Sequence, residues 1–285
     1  MASRTTRLRT SAGSARSRDV CRRTRLRPAR RAPGPRAGRP TLPARVQPGA
    51  LRALHARVGT VSARRADPRR ERRRLAALNY HESAAFARGI QLVGGVDEVG
   101  RGPLAGPVVA ACVVSAKPLL LEGLDDSKVV PRERREHLAL QIRERCNGWA
   151  IGSASIEEID RLNIYRATLL AMERALEALA ALPDLLLVDA MHVAGFAGEQ
   201  QALIHGDARS ATIAAASIIA KVHRDGLLTE LHQRYPAYGF DEHKGYATRR
   251  HLEALRAHGP CPIHRRSFLG NLHAVSLFDT LDGQE

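Results

Sequence analysis

The sequence predicts an α/β domain built on one mixed sheet flanked by helices. Three observations carry that prediction. Apolar β-rich runs alternate with helical stretches of 3.6-residue period, the alternation occupies residues 79–285, and one short run, "LLLV", is apolar throughout, as a strand buried on both faces must be. A chain of 285 residues with 44% hydrophobic content has enough apolar surface to bury a core of that size.

Order is expected to begin near Tyr80, with a short helix through "HESAAFARG" that stops at Gly89. Ile90–Asp97 and Pro107–Val114 read as two strands of a hairpin joined by a glycine-rich stretch. In "DDSKVVPRERREHLALQIRERC" the Asp and Ser residues look like a cap, and Leu138, Ile142 and Cys146 share one helical face. "WAIGSAS" is a third strand. The stretch from Ser155 to Leu182 reads as one long helix, opened by a Ser155/Glu158 capping box and striped with Leu169, Met172, Leu176 and Leu179, and Pro183 ends it. "DLLLVDAM" is a central strand with Asp189 at its end, and "ALIHGD" a further strand leading to Asp207. Ser210–Tyr235 forms a helix whose Ala214, Ala215, Ala216 and Ser217 permit close packing on a sheet. Beyond Pro236 come a polar turn and one more helix.

Charge divides the chain. Its formal net charge is +16, yet residues 1–74 hold 23 of the 45 basic residues, all Arg, against three acids, a net of +20. Residues 75–285 therefore carry 22 bases against 26 acids, a net of −4. Residues 1–78 read as an Arg/Pro-rich disordered extension, because no apolar period is present to offset the entropy of ordering it. It is a nucleic-acid arm, a targeting peptide or an over-extended reading frame. Residues 79–285 are the folded domain. Four scattered cysteines with no C-x-x-C pair exclude a disulfide framework and a zinc site, and no apolar run reaches the ~20 residues that span a bilayer. A soluble, cytoplasmic monomer without membrane contact is the expectation.

"GGVDEVGRGPLAG", residues 94–106, sets Asp97 and Glu98 side by side among glycines. With Asp189 and Asp207 they make four acids at strand ends. Brought together, their charges are tolerable only with protons or bound cations. Oxygen ligands select hard divalent metals, Mg²⁺ or Mn²⁺, over zinc, and two such ions about 4 Å apart serve in-line phosphodiester hydrolysis. Acids that merely stand at strand ends are the competing reading. Successive strand residues also face opposite ways, so Asp97 and Glu98 act together only if the strand ends or kinks there. Gly100-Arg101-Gly102 lacks the Gly-Lys-Ser/Thr ending of a phosphate loop.

The motifs "GVDEVGRGPLAGPVVAACVV", "DDSK", "LLLVDA", "HGDARSATIAAASIIAKVHRD" and "YPAYGFDEHKGYATRRH" resemble, in order and spacing, those of bacterial ribonuclease HII, the type 2 ribonuclease H. The likeness covers roughly residues 88–270. It implies a ribonuclease H-like fold with a C-terminal helical extension. The implied activity is two-metal endonucleolytic cleavage of the RNA strand of RNA–DNA hybrids and of duplex DNA 5′ to single embedded ribonucleotides, leaving 5′-phosphate and 3′-hydroxyl ends. Asp97, Glu98, Asp189 and Asp207 are then the metal-binding acids, Gly100, Arg101 and Gly102 the segment whose backbone reads a ribose 2′-hydroxyl, and Tyr246 the ring that stacks on the next deoxyribose. Glycine's bare backbone suits close approach to a 2′-hydroxyl, the group that distinguishes RNA from DNA. Lys128, Lys221 and Lys244, with Arg224 and Arg249, are candidate phosphate contacts. His205 departs from the pattern, since the family usually carries Lys there, and a steeper rise of activity between about pH 6 and 8 is the expected consequence. A non-catalytic nucleic-acid-binding protein using the Arg-rich arm, and a type 3 ribonuclease H, are the alternatives.

Overall fold

The computed structural model describes residues 67–270, which lie within one compact unit, residues 63–285. Order starts before Tyr80. Helix α1, Pro68–Leu78, is entered through Asp67, whose carboxylate accepts the Arg69 N–H, and Pro68 supplies the fixed φ that suits a first turn. Leu75 and Leu78 enter the core, so these Arg-rich turns are held by tertiary burial. The rest of the N-terminal extension lies outside the described residues. Helix α2, Tyr80–Ala87, gives way at Gly89, whose φ of +90° suits the residue after a helix end.

Five strands follow the order β3-β2-β1-β4-β5: β1 Val93–Val99, β2 Val108–Ser115, β3 Gly148–Ala154, β4 Leu185–Asp189 and β5 Glu199–Leu203. β1 pairs antiparallel with β2, with Asp97 opposite Ala111, which is the expected hairpin. β4 lies parallel to both β1 and β5, so the sheet is mixed. Its two faces are covered by different helices. On one, α6 (Ala211–Arg234) lays its small residues on β1 and β2. A Cβ at Gly95 would fall 2.2 Å from the Thr212 carbonyl carbon, which is why only glycine fits there. On the other, α5 (Ile164–Glu177) packs Met172 and Leu176 under Val96, Ala110 and Val188.

Three sequence expectations are corrected. The helix after "DDSK" begins only at Arg132: α3 covers Arg132–Arg145, because Pro131 precludes an earlier start, while Leu138 and Ile142 are buried as expected. The long helix is two, α4 (Ile156–Leu162) and α5, broken at Asn163, whose φ of +71° lets its side chain cap α5 at the Arg166 N–H. The Ser155/Glu158 capping box is formed. The strand before Asp207 ends at Leu203, and Asp207 sits in a 3-10 turn, Gly206–Ala208.

Beyond α6 the chain continues through a 3-10 turn, Pro236–Tyr238, and helices α7 (Phe240–His243), α8 (Arg249–His258) and α9 (Arg266–Leu269). This extension has its own apolar cluster, Tyr238, Phe240, Ala254 and Ile263 around Ala105 and Leu228. No helix among the described residues is long and apolar enough to cross a membrane.

Candidate active site

Parallel pairing of β1 with β4 runs through Val96 opposite Val188, so the next residues, Asp97 and Asp189, leave neighbouring strands side by side at their C-terminal ends. Both lie on the face covered by α6, since Asp97 faces the way of Ala111 and Asp189 that of Leu203. Asp207 precedes α6 and is buried nearby. Strand β1 runs through Asp97 and Glu98 and ends at Val99, so the two side chains start from opposite faces of the strand but lie within electrostatic reach of each other at its end.

The acids feel one another. Burial first, then the charges of Glu98 and Asp189, pushes the Asp97 carboxyl well above the usual carboxylate range. Glu98 is raised by burial and by Asp189, although the Arg101 guanidinium at 3.2 Å opposes this. Asp189 is raised by burial and by Asp207, against the pull of the Gly206 N–H, which donates to its Oδ1 at 2.7 Å. Lys128 donates to Asp207 at 2.8 Å. Burial works against the charge on Lys128, but that hydrogen bond and the charges of Asp207 and Asp126 outweigh it and raise the ammonium's pKa. Lys128 thus supplies beside Asp207 the cation that was sought at position 205, while His205 takes a left-handed turn with φ +55°.

All four acids offer oxygen alone, three hold protons more tightly than usual, and Glu98 Oε2 is buried with no hydrogen-bond partner. That donor chemistry suits a hard divalent cation. Among the described residues, however, no three His, Cys, Asp or Glu side chains stand close enough to enclose an ion. Each acid is held by a nearer donor: the Glu98 N–H on Asp97, Arg101 on Glu98, the Gly206 N–H on Asp189, and Lys128 on Asp207.

The Gly100–Gly106 loop and Tyr246 meet beside these acids. A Cβ at Gly102 would lie 3.8 Å from Tyr246 Cε1 and touch nothing else, so Gly102 faces open space next to the ring. Tyr246 is 43% exposed. Among the described residues, the N–H groups of Arg101 and Gly102 meet no internal acceptor. Gly100 is glycine for a different reason: its φ is +93°, and a Cβ there would sit 2.2 Å from Arg224 Nε.

A cleft of about 430 Å³ is lined by Glu98 and Tyr246 together with Lys128, Lys221 and Lys244, and by the acids Asp225, Asp241 and Glu242. Arg132 and Arg135 join that rim and were not foreseen, although their spacing places both on one face of α3. The basic residues differ in what they can do. Lys221 is paired with Asp225 at 2.7 Å. The Lys244 ammonium is turned inward to Thr229 Oγ1 and the Asp241 carbonyl. Arg249 is exposed beside Glu253. Arg224 is fully buried and donates to the carbonyls of Ala105, Pro107 and Lys244, which removes it from the phosphate contacts.

Residues 94–270 match the family model for ribonuclease HII. The chain is 53% identical over 199 residues to the ribonuclease HII of Desulfitobacterium hafniense, covering 70% of this chain and 76% of that one. With the ribonuclease HII of Myxococcus xanthus the identity is 48% over 224 residues, covering 78% and 76%. Among solved structures it resembles the ribonuclease H2 of Pyrococcus horikoshii, with a TM-score of 0.54 and 28% identity over 62% of this chain and 93% of that one. It also resembles the ribonuclease HII of Archaeoglobus fulgidus in its complex with PCNA, with a TM-score of 0.53 and 26% identity over 61% and 94%. Acids gathered at the ends of parallel strands, a glycine loop near an exposed tyrosine, the family match over residues 94–270 and 53% identity over 199 residues to such a relative place the chain in the ribonuclease HII family, as a divalent-metal-dependent endoribonuclease of the ribonuclease H class.

Proposed function

We propose that this enzyme cuts the RNA strand of RNA–DNA hybrids and incises duplex DNA 5′ to a single embedded ribonucleotide, leaving 5′-phosphate and 3′-hydroxyl ends. The observation that supports the reading is the open space beside Gly102, bordered by the Tyr246 ring, with Tyr246 and Glu98 lining the same cleft. A backbone reading the 2′-hydroxyl and a flat wall for the next sugar would then stand next to each other.

Asp97, Glu98, Asp189 and Asp207 would hold two hard divalent cations, Mg²⁺ or Mn²⁺, which when bound supply Lewis acidity for in-line hydrolysis of a phosphodiester. Arg101 and Lys128 already neutralise Glu98 and Asp207, so they hold the acids near one another against their repulsion. The Arg101 and Gly102 N–H groups donate to the ribose 2′-hydroxyl, which can both accept and donate. A ring beside the adjoining sugar leaves no room for a second hydroxyl and so favours deoxyribose on that side. Lys128, Lys221, Arg132 and Arg135 line the cleft along which a phosphate backbone would run, and Lys244 fixes the turn that carries Tyr246.

A labelled DNA duplex bearing one ribonucleotide tests this. Incision 5′ to the ribonucleotide with Mn²⁺ or Mg²⁺, its loss with chelator, and its loss in Asp97→Asn while the variant still binds hybrid are expected. Wild-type turnover by Asp97→Asn, or cutting that ignores the ribonucleotide's position, would contradict the reading.

A further inference from the structure

Arg224 and Arg265 are both fully buried, and among the described residues neither is in an ion pair. Burial pushes Arg224 down to about 10 and Arg265, which also feels Arg224, down to about 9, so both remain charged at neutral pH. Two unpaired buried charges are costly, and apolar side chains of similar size would serve stability as well.

Every side-chain hydrogen bond they donate goes to a backbone carbonyl, and the Arg265 guanidinium also lies 5.1 Å from the Phe268 ring centre. Arg265 donates to Gly100 at 2.6 Å, Arg101 at 3.0 Å and Gly106 at 2.8 Å. Arg224 donates to Ala105, Pro107 and Lys244, each at 3.0 Å. Five of these six carbonyls belong to the loop between β1 and β2, and the sixth lies two residues before Tyr246. Five of the loop's carbonyls are thus taken, while among the described residues the N–H groups of Arg101 and Gly102 meet no internal acceptor. The Arg265 N–H in turn donates to the Leu104 carbonyl and the Leu104 N–H to the Gly245 carbonyl, both at 2.8 Å, tying this loop to the Tyr246 segment.

We propose that Arg224 and Arg265 are positioning residues that set ribose selectivity: by capturing five of the loop's carbonyls they hold the Arg101 and Gly102 N–H groups in place for the sugar. This rests on the ribose-reading role given above to Arg101 and Gly102. A planar guanidinium fork serves three carbonyls at once, whereas a lysine ammonium is a point charge that cannot reproduce the three-way geometry.

The test uses the full-length enzyme and two constants: KM for a duplex with one ribonucleotide, and Ki for the all-DNA duplex of the same sequence as competitor. In the wild type Ki exceeds KM. In Arg265→Lys, and in Arg224→Lys as a second variant, the Ki/KM ratio falls by about fivefold or more, through a rise in KM with Ki unchanged. A purely structural role reduces the active fraction and kcat but leaves that ratio where it was. An unchanged ratio in a folded variant would overturn the proposal alone. Equal KM and Ki in the wild type would remove the ribose reading itself, and this inference with it. Failure of both variants to fold would also overturn it, by assigning the arginines to global stability.

Discussion

Gly100 and Gly102, two positions apart, are glycine for unrelated reasons, and substitution separates them. Gly100→Ala places a methyl against Arg224 in a backbone conformation with φ +93°. A loss of about 2 kcal/mol or more is expected, read as a lower urea midpoint. Gly102→Ala has space in the free protein, so stability holds while cleavage at ribonucleotides falls at least about tenfold, because the methyl stands where the sugar must approach. A destabilised Gly102→Ala with wild-type kcat/KM would contradict this. Tyr246→Ala is expected to reduce incision at single ribonucleotides more than cleavage of long hybrids, and equal losses would remove the ring from junction recognition. At this scale the sequence discloses chemistry but not burial. Glycines beside two acids and a tyrosine in a polar turn are legible, whereas Arg224 reads as a surface base and Arg265 attracts no notice. Their partners are main-chain carbonyls, which have no letter in the sequence.

Elements were legible where period and punctuation agreed. The hairpin of β1 and β2, the apolar β4 and the alanine-rich α6 follow from pattern alone, and so does the meeting of Asp97 and Asp189 once β1 and β4 are parallel. The break at Asn163 was hidden because an unbroken apolar stripe outweighs one residue with φ +71°. Helix α1 was hidden because two buried leucines carry it among exposed arginines. The C-terminal extension holds a network that no periodicity announces. His264 Nδ1 accepts the Cys261 N–H at 3.0 Å, so its Nε2 donates to His251 Nε2 at 3.0 Å, leaving His251 Nδ1 to donate to the Tyr246 carbonyl at 2.8 Å. His243 stacks on His251 with ring centres 4.4 Å apart. Burial pushes His251 from the usual 6.5 down to about 4, and lowers His243 and His264 as well. The unfolded chain therefore takes up protons below about pH 6.5 that the folded protein refuses. The stabilisation is complete above that pH and is lost as the pH falls toward 4. For His251 alone the expected loss is about 2 kcal/mol between pH 8 and pH 5, measured by urea unfolding. A flat profile over that range would mean that the histidines are hydrated or already charged.

Across the whole molecule, charge governs how a polyanion can be bound. Residues 1–74 carry a net +20 and residues 75–285 a net −4, while residues 67–270, with 27 bases against 25 acids, are nearly balanced and gather several basic side chains along one cleft. Recognition is accordingly local, with Lys128, Lys221, Arg132 and Arg135 standing among Glu98, Asp225, Asp241 and Glu242 on the cleft's lining, and these acids repel phosphate unless their charge is offset. The central claim is that Asp97, Glu98, Asp189 and Asp207 act as one divalent-cation site. Titration of Mn²⁺ into the full-length protein, followed by its paramagnetic resonance signal, measures this directly. Wild-type protein is predicted to take up the ion, with affinity at least about tenfold weaker in folded Asp97→Asn and Asp189→Asn variants. Unchanged Mn²⁺ affinity in both variants would show that these acids do not hold the metal.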